Sequence, residues 1–172
     1  MPPAPHPLRS PAPGGHGRGR VDHAGLIESL EIRKARPEEI PACADLYLKV
    51  LVDTFTWLEP ERHRREDFLN SVRDEDIYVA VENGQVVGLA GFYRPQNFLH
   101  SLYVLDRGRG VGKALLDHVS AQASGPVSLK VQSANHKAQR FYEREGFVCV
   151  EEGRDWGSDI DWRRLVRVRA ET

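Results

Sequence analysis

Asp106-Arg107-Gly108-Arg109-Gly110-Val111-Gly112-Lys113 sets three glycines and three cations side by side. A run of strand character, Phe98 to Leu105, leads into this stretch, and an apolar run of helical spacing leaves it at Val111. Glycine lets backbone approach a ligand closely and reach dihedrals closed to other residues. A turn that opens a helix also aims several unpaired N–H groups outward, at the positive end of the helix dipole. With Arg107, Arg109 and Lys113 alongside, the guest suited to this chemistry is a phosphate or pyrophosphate.

Two phosphate-binding loops fail to fit. The G-x-x-x-x-G-K-[ST] loop finds its G-K in Gly112-Lys113, but Arg107 stands where its first glycine belongs. Ala114 replaces the hydroxyl that would hold magnesium. The dinucleotide pattern G-x-G-x-x-G fails because Gly108-x-Gly110 is followed by Gly112 and then Lys113. What remains is R-x-x-G-x-G, from Arg107 through Gly110 to Gly112.

The elements that must position this loop are legible from periodicity. Leu30 to Lys34 is expected as a strand, with Pro37-Glu38-Glu39 as the first turn of a helix. Ile40, Cys43, Ala44, Tyr47, Val50 and Leu51 then follow at helical spacing. A second helix is expected over Glu61 to Val72. Ile77 to Val81 and Val86 to Tyr93 form a hairpin around Asn83-Gly84. After the third strand and the glycine loop, a helix keeps Val111, Leu115, Leu116 and Val119 on one side. Ser128 to Gln132 is the next strand, and Lys137 to Glu145 a helix that Gly146 stops. Phe147 to Val150 and Trp162 to Val168 are the closing strands. The order β-α-α-β-β-β-α-β-α-β-β predicts an α/β domain: a twisted mixed sheet with helices on both faces.

The chain of 172 residues fits one domain. Residues 1–20 hold six of the eleven prolines and almost no large apolar side chain. Such a stretch cannot bury enough surface to offset its ordering entropy, so residues 1–28 are expected as a disordered tail and 29–170 as the domain. A formal net charge of −1 gives no global field toward nucleic acid or an anionic membrane, and neither is expected as a partner. Cys43 and Cys149 are too few and too scattered for a disulfide framework or a zinc site, and are expected as free core thiols. No pair among the seven histidines has metal-ligand spacing, so no metal is expected. Without a membrane-length apolar run or a secretory signal, the expected compartment is the cytoplasm.

The loop R-x-x-G-x-G resembles the GNAT superfamily of acetyl-CoA-dependent N-acetyltransferases. Leu102-Tyr103-Val104 looks like that family's fourth strand. Asn135, Ala138, Phe141-Tyr142-Glu143 and Gly146-Phe147 match its N-x-x-A-x-x-F-Y-E-x-x-G-F signature. The agreement of elements runs from about Leu30 to about Val168. Only Leu105-Asp106 separates Val104 from Arg107, a shorter link than many members carry.

The resemblance implies acetyl-CoA as co-substrate, with the fourth strand splayed from its neighbour. Backbone groups of Leu102, Tyr103 and Val104 would hold the pantetheine arm, with Asn135 reaching it from the far side. Arg107, Gly108, Arg109, Gly110, Val111, Gly112 and Lys113 would hold the pyrophosphate. Tyr142 occupies the position of the family's tyrosine beside the CoA sulfur, where a phenol protonates the leaving thiolate. His100, predicted on one strand face with Phe98, Leu102 and Val104, matches a histidine that some members use to relay the amine proton. The acceptor is a primary amine, small molecule or protein, and homodimers are common in such proteins. Trp57, Glu59 and Glu61 are candidates for one wall of an acceptor pocket, and Trp156, Asp159 and Asp161 for the other. A second reading is a non-catalytic acyl-CoA-binding regulatory module, which would keep the loop but have no need of Tyr142.

Overall fold

The computed structural model describes residues 30–54, 65–105 and 108–168. β1 (Leu30–Lys34) is followed by a 3-10 turn over Pro37–Glu39, then by α1 (Ile40–Thr54) and α2 (Arg65–Ser71). After α2 the chain tightens into a second 3-10 turn, Val72–Asp74, so Val72 leaves the helix expected to include it. Then come β2 (Asp76–Glu82), β3 (Gln85–Tyr93), β4 (Phe98–Val104), α3 (Val111–Gln122), β5 (Ser128–Gln132), α4 (His136–Arg144), β6 (Phe147–Arg154) and β7 (Asp161–Arg167). The order is the one periodicity predicts.

The seven strands form one sheet in the order β1-β2-β3-β4-β5-β7-β6. All neighbours are antiparallel except β4 and β5. Asn83 and Gly84 close the β2–β3 hairpin with φ of 52° and 75°. Two successive positive φ values match the right-handed twist of the flanking strands, which is why this dipeptide suits the turn.

The sheet carries a core on each face. On one, Leu102 and Val104 of β4 pack with Val111, Leu115, Leu116 and Val119 of α3 and with Ala138 and Tyr142 of α4. On the other, Val79, Leu89 and Tyr103 pack against Cys43, Tyr47 and Leu51 of α1 and Phe68 of α2. Burial pushes the Cys43 thiol up to about 12, helped by the nearby Glu39 carboxylate, so it stays protonated. Cys149 departs from the expectation: it is a free thiol, but exposed on β6 rather than in the core. Among the described residues no helix is long and apolar enough to cross a membrane. The expected tail lies outside the described residues.

Candidate acyl-transfer site

The site begins where β4 and β5 part. The two strands pair at one register position, Phe98 opposite Ser128, and the Ser128 N–H donates to Asn97 O at 3.0 Å beside it. Beyond that point β4 runs on to Val104 without pairing to β5. On its other side β4 stays bonded to β3, with the Leu105 N–H donating to Val87 O at 2.9 Å. Backbone groups alternate in direction along a strand. Leu105, Tyr103 and Ser101 therefore turn theirs toward β3, while Leu102 and Val104 present theirs to the gap. A buried backbone group needs a partner, and an extended amide-bearing ligand can supply it there. Tyr103 contributes a side chain to the α1 face, edge-on to Tyr47 at 5.4 Å between ring centroids.

The glycine loop sits at the mouth of this gap. Gly108 and Gly110 take φ of 82° and 79°, the left-handed region where only glycine is unstrained. Gly110 is the N-cap of α3 and offers no side chain to cap it. The first helical bond runs from the Ala114 N–H to Gly110 O at 3.0 Å, leaving the N–H groups of Val111, Gly112 and Lys113 ahead of the ladder. The cations beside them are already engaged. Arg109 donates to Glu82 Oε2 at 2.6 Å, and Lys113 Nζ reaches Asp117 and Glu145 at 3.1 and 3.2 Å. These carboxylates raise the Lys113 pKa and keep its charge fixed. Arg107 and Asp106, with the short link to the loop, lie outside the described residues.

The second motif arrives on α4. A methyl group built on Gly112 would meet the Phe141 ring at 3.4 Å and Val104 Cγ2 at 3.7 Å. Gly112 is thus the junction of β4, α3 and α4, and the two sequence motifs meet there. Asn135 opens α4, its Oδ1 accepting from the Ala138 N–H at 3.2 Å. Its Nδ2 is buried without a partner among the described residues, a spare donor. Tyr142 is 1% exposed and packs between Phe141 and Phe147. Burial raises its pKa well above the usual phenol value, so the hydroxyl remains a donor. Among the described residues it has no hydrogen-bond partner.

His100 departs from the predicted strand face. The β3–β4 register pairs Gly91 with Ser101 but Phe92 with Leu99, leaving His100 as the extra residue of a bulge. The bulge brings Leu99, not Phe98 or His100, into the core with Leu102 and Val104. His100 Nδ1 meets Glu75 Oε1 instead, and its ring lies edge-on to Phe98 and stacked near Tyr93. Glu75 was invisible to sequence reading. It is one carboxylate among many, and 25 residues of chain separate it from His100.

The remaining candidates scatter. Trp57, Glu59 and Glu61 lie outside the described residues. Trp156 is fully exposed near the tip of the β6–β7 hairpin, and Asp161 pairs with Arg154 at 2.7 Å. A cavity of about 460 Å³ between α3, the end of α4 and β7 is lined by Lys113, Ser120, Arg144, Glu145 and Arg167. It touches neither β4 nor Tyr142, and Lys113 and Arg167 are held by Asp117 and Glu145. Among the described residues, no group of three or more His, Cys, Asp or Glu could hold a metal ion.

A splayed β4, an α3 terminus without a side-chain cap and α4, the helix that carries the buried Tyr142, thus meet around Gly112. A model of the acetyltransferase (GNAT) family matches residues 41–147. The chain belongs to this family. No curated protein sequence matches it significantly. Among solved structures, apo YjaB from Escherichia coli is similar at 26% identity and a TM-score of 0.68, over 82% of this chain and 99% of that one. A ribosomal-protein-alanine N-acetyltransferase from Brucella melitensis shares the fold at 23% identity and a TM-score of 0.59, over 81% and 99%. So does yncA, a putative acetyltransferase from Salmonella typhimurium solved with acetyl-CoA, at 21% and 0.59, over 80% and 92%. This GNAT chain therefore has the acyltransferase fold of its family: a mixed seven-stranded sheet with helices on both faces.

Proposed function

We propose that this GNAT protein is an N-acetyltransferase that moves the acetyl group of acetyl-CoA onto a primary amine by direct attack on the thioester. The observation that carries the reading is the parting of β4 from β5 beside the helix that bears Tyr142. The backbone of Leu102 and Val104 suits the pantetheine amides, and the spare Nδ2 of Asn135 suits a carbonyl of the same arm. The N–H groups of Val111, Gly112 and Lys113 suit the pyrophosphate at the positive end of α3. The resident carboxylates on Arg109 and Lys113 would be exchanged for phosphate oxygens.

In the transfer, the amine nitrogen bonds to the acetyl carbon and the C–S bond breaks. The amine gives up one proton, for which His100 is the candidate acceptor. The CoA sulfur gains one, for which Tyr142 is the candidate donor, kept neutral by its burial. A backbone N–H at the open edge of β4 suits the oxyanion. The acceptor is a small-molecule amine or a protein amine.

The test is a panel of amines with release of free CoA as the readout, on wild type and Tyr142→Phe. The expected result is turnover with at least one amine and a drop in kcat of about 10²-fold or more in Tyr142→Phe. KM for acetyl-CoA should change little, because phenylalanine keeps the packing. CoA binding without release for any amine would overturn the enzyme reading in favour of a regulatory module.

A further inference from the structure

The 3-10 turn Val72–Asp74 ends at Glu75 in extended conformation (φ −113°, ψ 150°) and delivers its side chain onto the sheet face opposite α3. There Gly91 clears the space. A Cβ at Gly91 would stand 2.7 Å from Glu75 Oε2 and 3.3 Å from Ser101 Oγ, so even alanine would displace the carboxylate. The Glu75 side chain is only 2% exposed. A carboxylate taken this far out of water is expensive unless a partner compensates it. The one hydrogen-bond partner it has among the described residues is His100 Nδ1. Its Oε2 and the neighbouring Ser101 Oγ are buried without partners among the described residues.

On the other side of the contact, the β4 bulge swings His100 out of the strand alternation toward Glu75. The Phe98 ring, 5.0 Å away and perpendicular, and the Tyr93 ring, 6.5 Å away and near parallel, restrict the imidazole. Neither Glu75 nor His100 has another ionic partner among the described residues. Asp76, next along the chain, is committed to Arg94 and Lys34. Three separate features, the 3-10 turn, the side-chain-free Gly91 and the bulge, thus converge on one contact.

We propose that Glu75 is a positioning residue for acetyl transfer, holding the Nδ1–H of His100 so that Nε2 is the nitrogen left to take the acceptor amine's proton. A neutral imidazole has one N–H and one lone pair, and the group bonded to one nitrogen decides which is which. His100 Nε2 makes no hydrogen bond among the described residues, and Leu102, whose backbone faces the β4–β5 gap, lies two residues further along β4. Unlike a fixed amide, Glu75 accepts without donating, so it selects a single tautomer. It also stabilises the imidazolium that forms once the proton is taken.

This inference rests on the acetyltransferase reading, and two measurements separate their failures. The first is steady-state kinetics of Glu75→Gln, His100→Gln and the double variant with the best amine of the panel. Glu75→Gln should lower kcat at least about tenfold with KM for acetyl-CoA within twofold, and the double variant should be no slower than His100→Gln alone. Glu75→Asp should recover part of the loss. The second is the tautomer of His100 from long-range ¹H–¹⁵N couplings, which needs no activity. Wild type should show protonated Nδ1 and bare Nε2, and Glu75→Gln a mixture. A wild-type His100 protonated at Nε2, or losses that add in the double variant, would overturn the assignment. If no amine is acetylated while the Nδ1 tautomer is found, it is the proposed reaction that fails, and the pair is left holding the histidine for some other proton transfer.

Discussion

In the proposed site, the phosphate end would rest on a single backbone angle at Gly110. Its φ of 79° is open to glycine without strain, whereas an L side chain there costs about 1–2 kcal/mol. Crowding does not enter, because among the described residues nothing stands within 4 Å of a methyl at this position. Gly110→Ala is therefore expected to strain the turn, or to relax it by rotating the α3 N–H groups away from a ligand. Gly112→Ala is the comparison, since its Cβ would make contact of ordinary length with Phe141 and Val104. Calorimetric titration with CoA should show Gly110→Ala weakened about tenfold or more, and Gly112→Ala less affected. Equal affinities in the two would mean that backbone direction at Gly110 does not hold the phosphates. Burial gives Tyr142 a similar single-residue role in the proposed transfer, because a pKa raised well above the usual phenol value keeps the hydroxyl protonated until a thiolate is there to take the proton.

At the scale of elements, α4 is the piece whose placement joins the two motifs, and the proposed function gives Asn135 two duties in it. Its Oδ1 caps the helix through the Ala138 N–H, while its Nδ2 stays free. Asn135→Ala should lower stability by about 1 kcal/mol through the lost cap. Asn135→Ser keeps a capping oxygen and should recover most of that, yet both should bind acetyl-CoA more weakly if Nδ2 is a ligand donor. Urea denaturation and CoA titration on the same two variants read the duties separately; affinity that merely follows stability would leave Nδ2 without one. The order and type of the elements were legible because Val111, Leu115, Leu116 and Val119 repeat at helical spacing and Asn83-Gly84 announces its turn. The β4 bulge was not, since one extra residue leaves the composition of Phe98 to Val104 unchanged while moving His100 off its predicted face. Glu75 was hidden for a different reason. Its partner is fixed by how the turn after α2 meets β4 across the sheet, a relation no local pattern encodes.

Across the whole molecule, a near-zero net charge conceals a specific dependence on acid. Glu39 accepts from the two terminal guanidinium nitrogens of Arg33, at 2.6 and 2.8 Å, and from the Arg36 N–H at 2.8 Å. It thereby ties the entrance of α1 to the edge strand β1. The Arg33 hydrogen bonds, and after them the Arg36 N–H, lower its pKa from 4.5 to about 2. Asp117 is lowered too, because Arg167 and Lys113 outweigh a desolvation that pushes the other way, and that pairing joins α3 to β7. A depressed carboxyl binds its proton more readily in the unfolded chain. Its stabilising contribution is thus complete above the unfolded value and disappears as pH falls through the folded one. For Glu39 the window runs from about 4.5 down to about 2. Glu39→Gln removes the titration while keeping the shape of the side chain. At pH 7 it should be less stable than wild type by about 1 kcal/mol, the scale of a capping and ion-pair loss with water nearby. Urea unfolding of both proteins at a series of pH values should show the gap closing across that window, since wild type loses the same interaction by protonation. A gap that stays constant down to pH 2 would mean that Glu39 acts through packing and not through its charge.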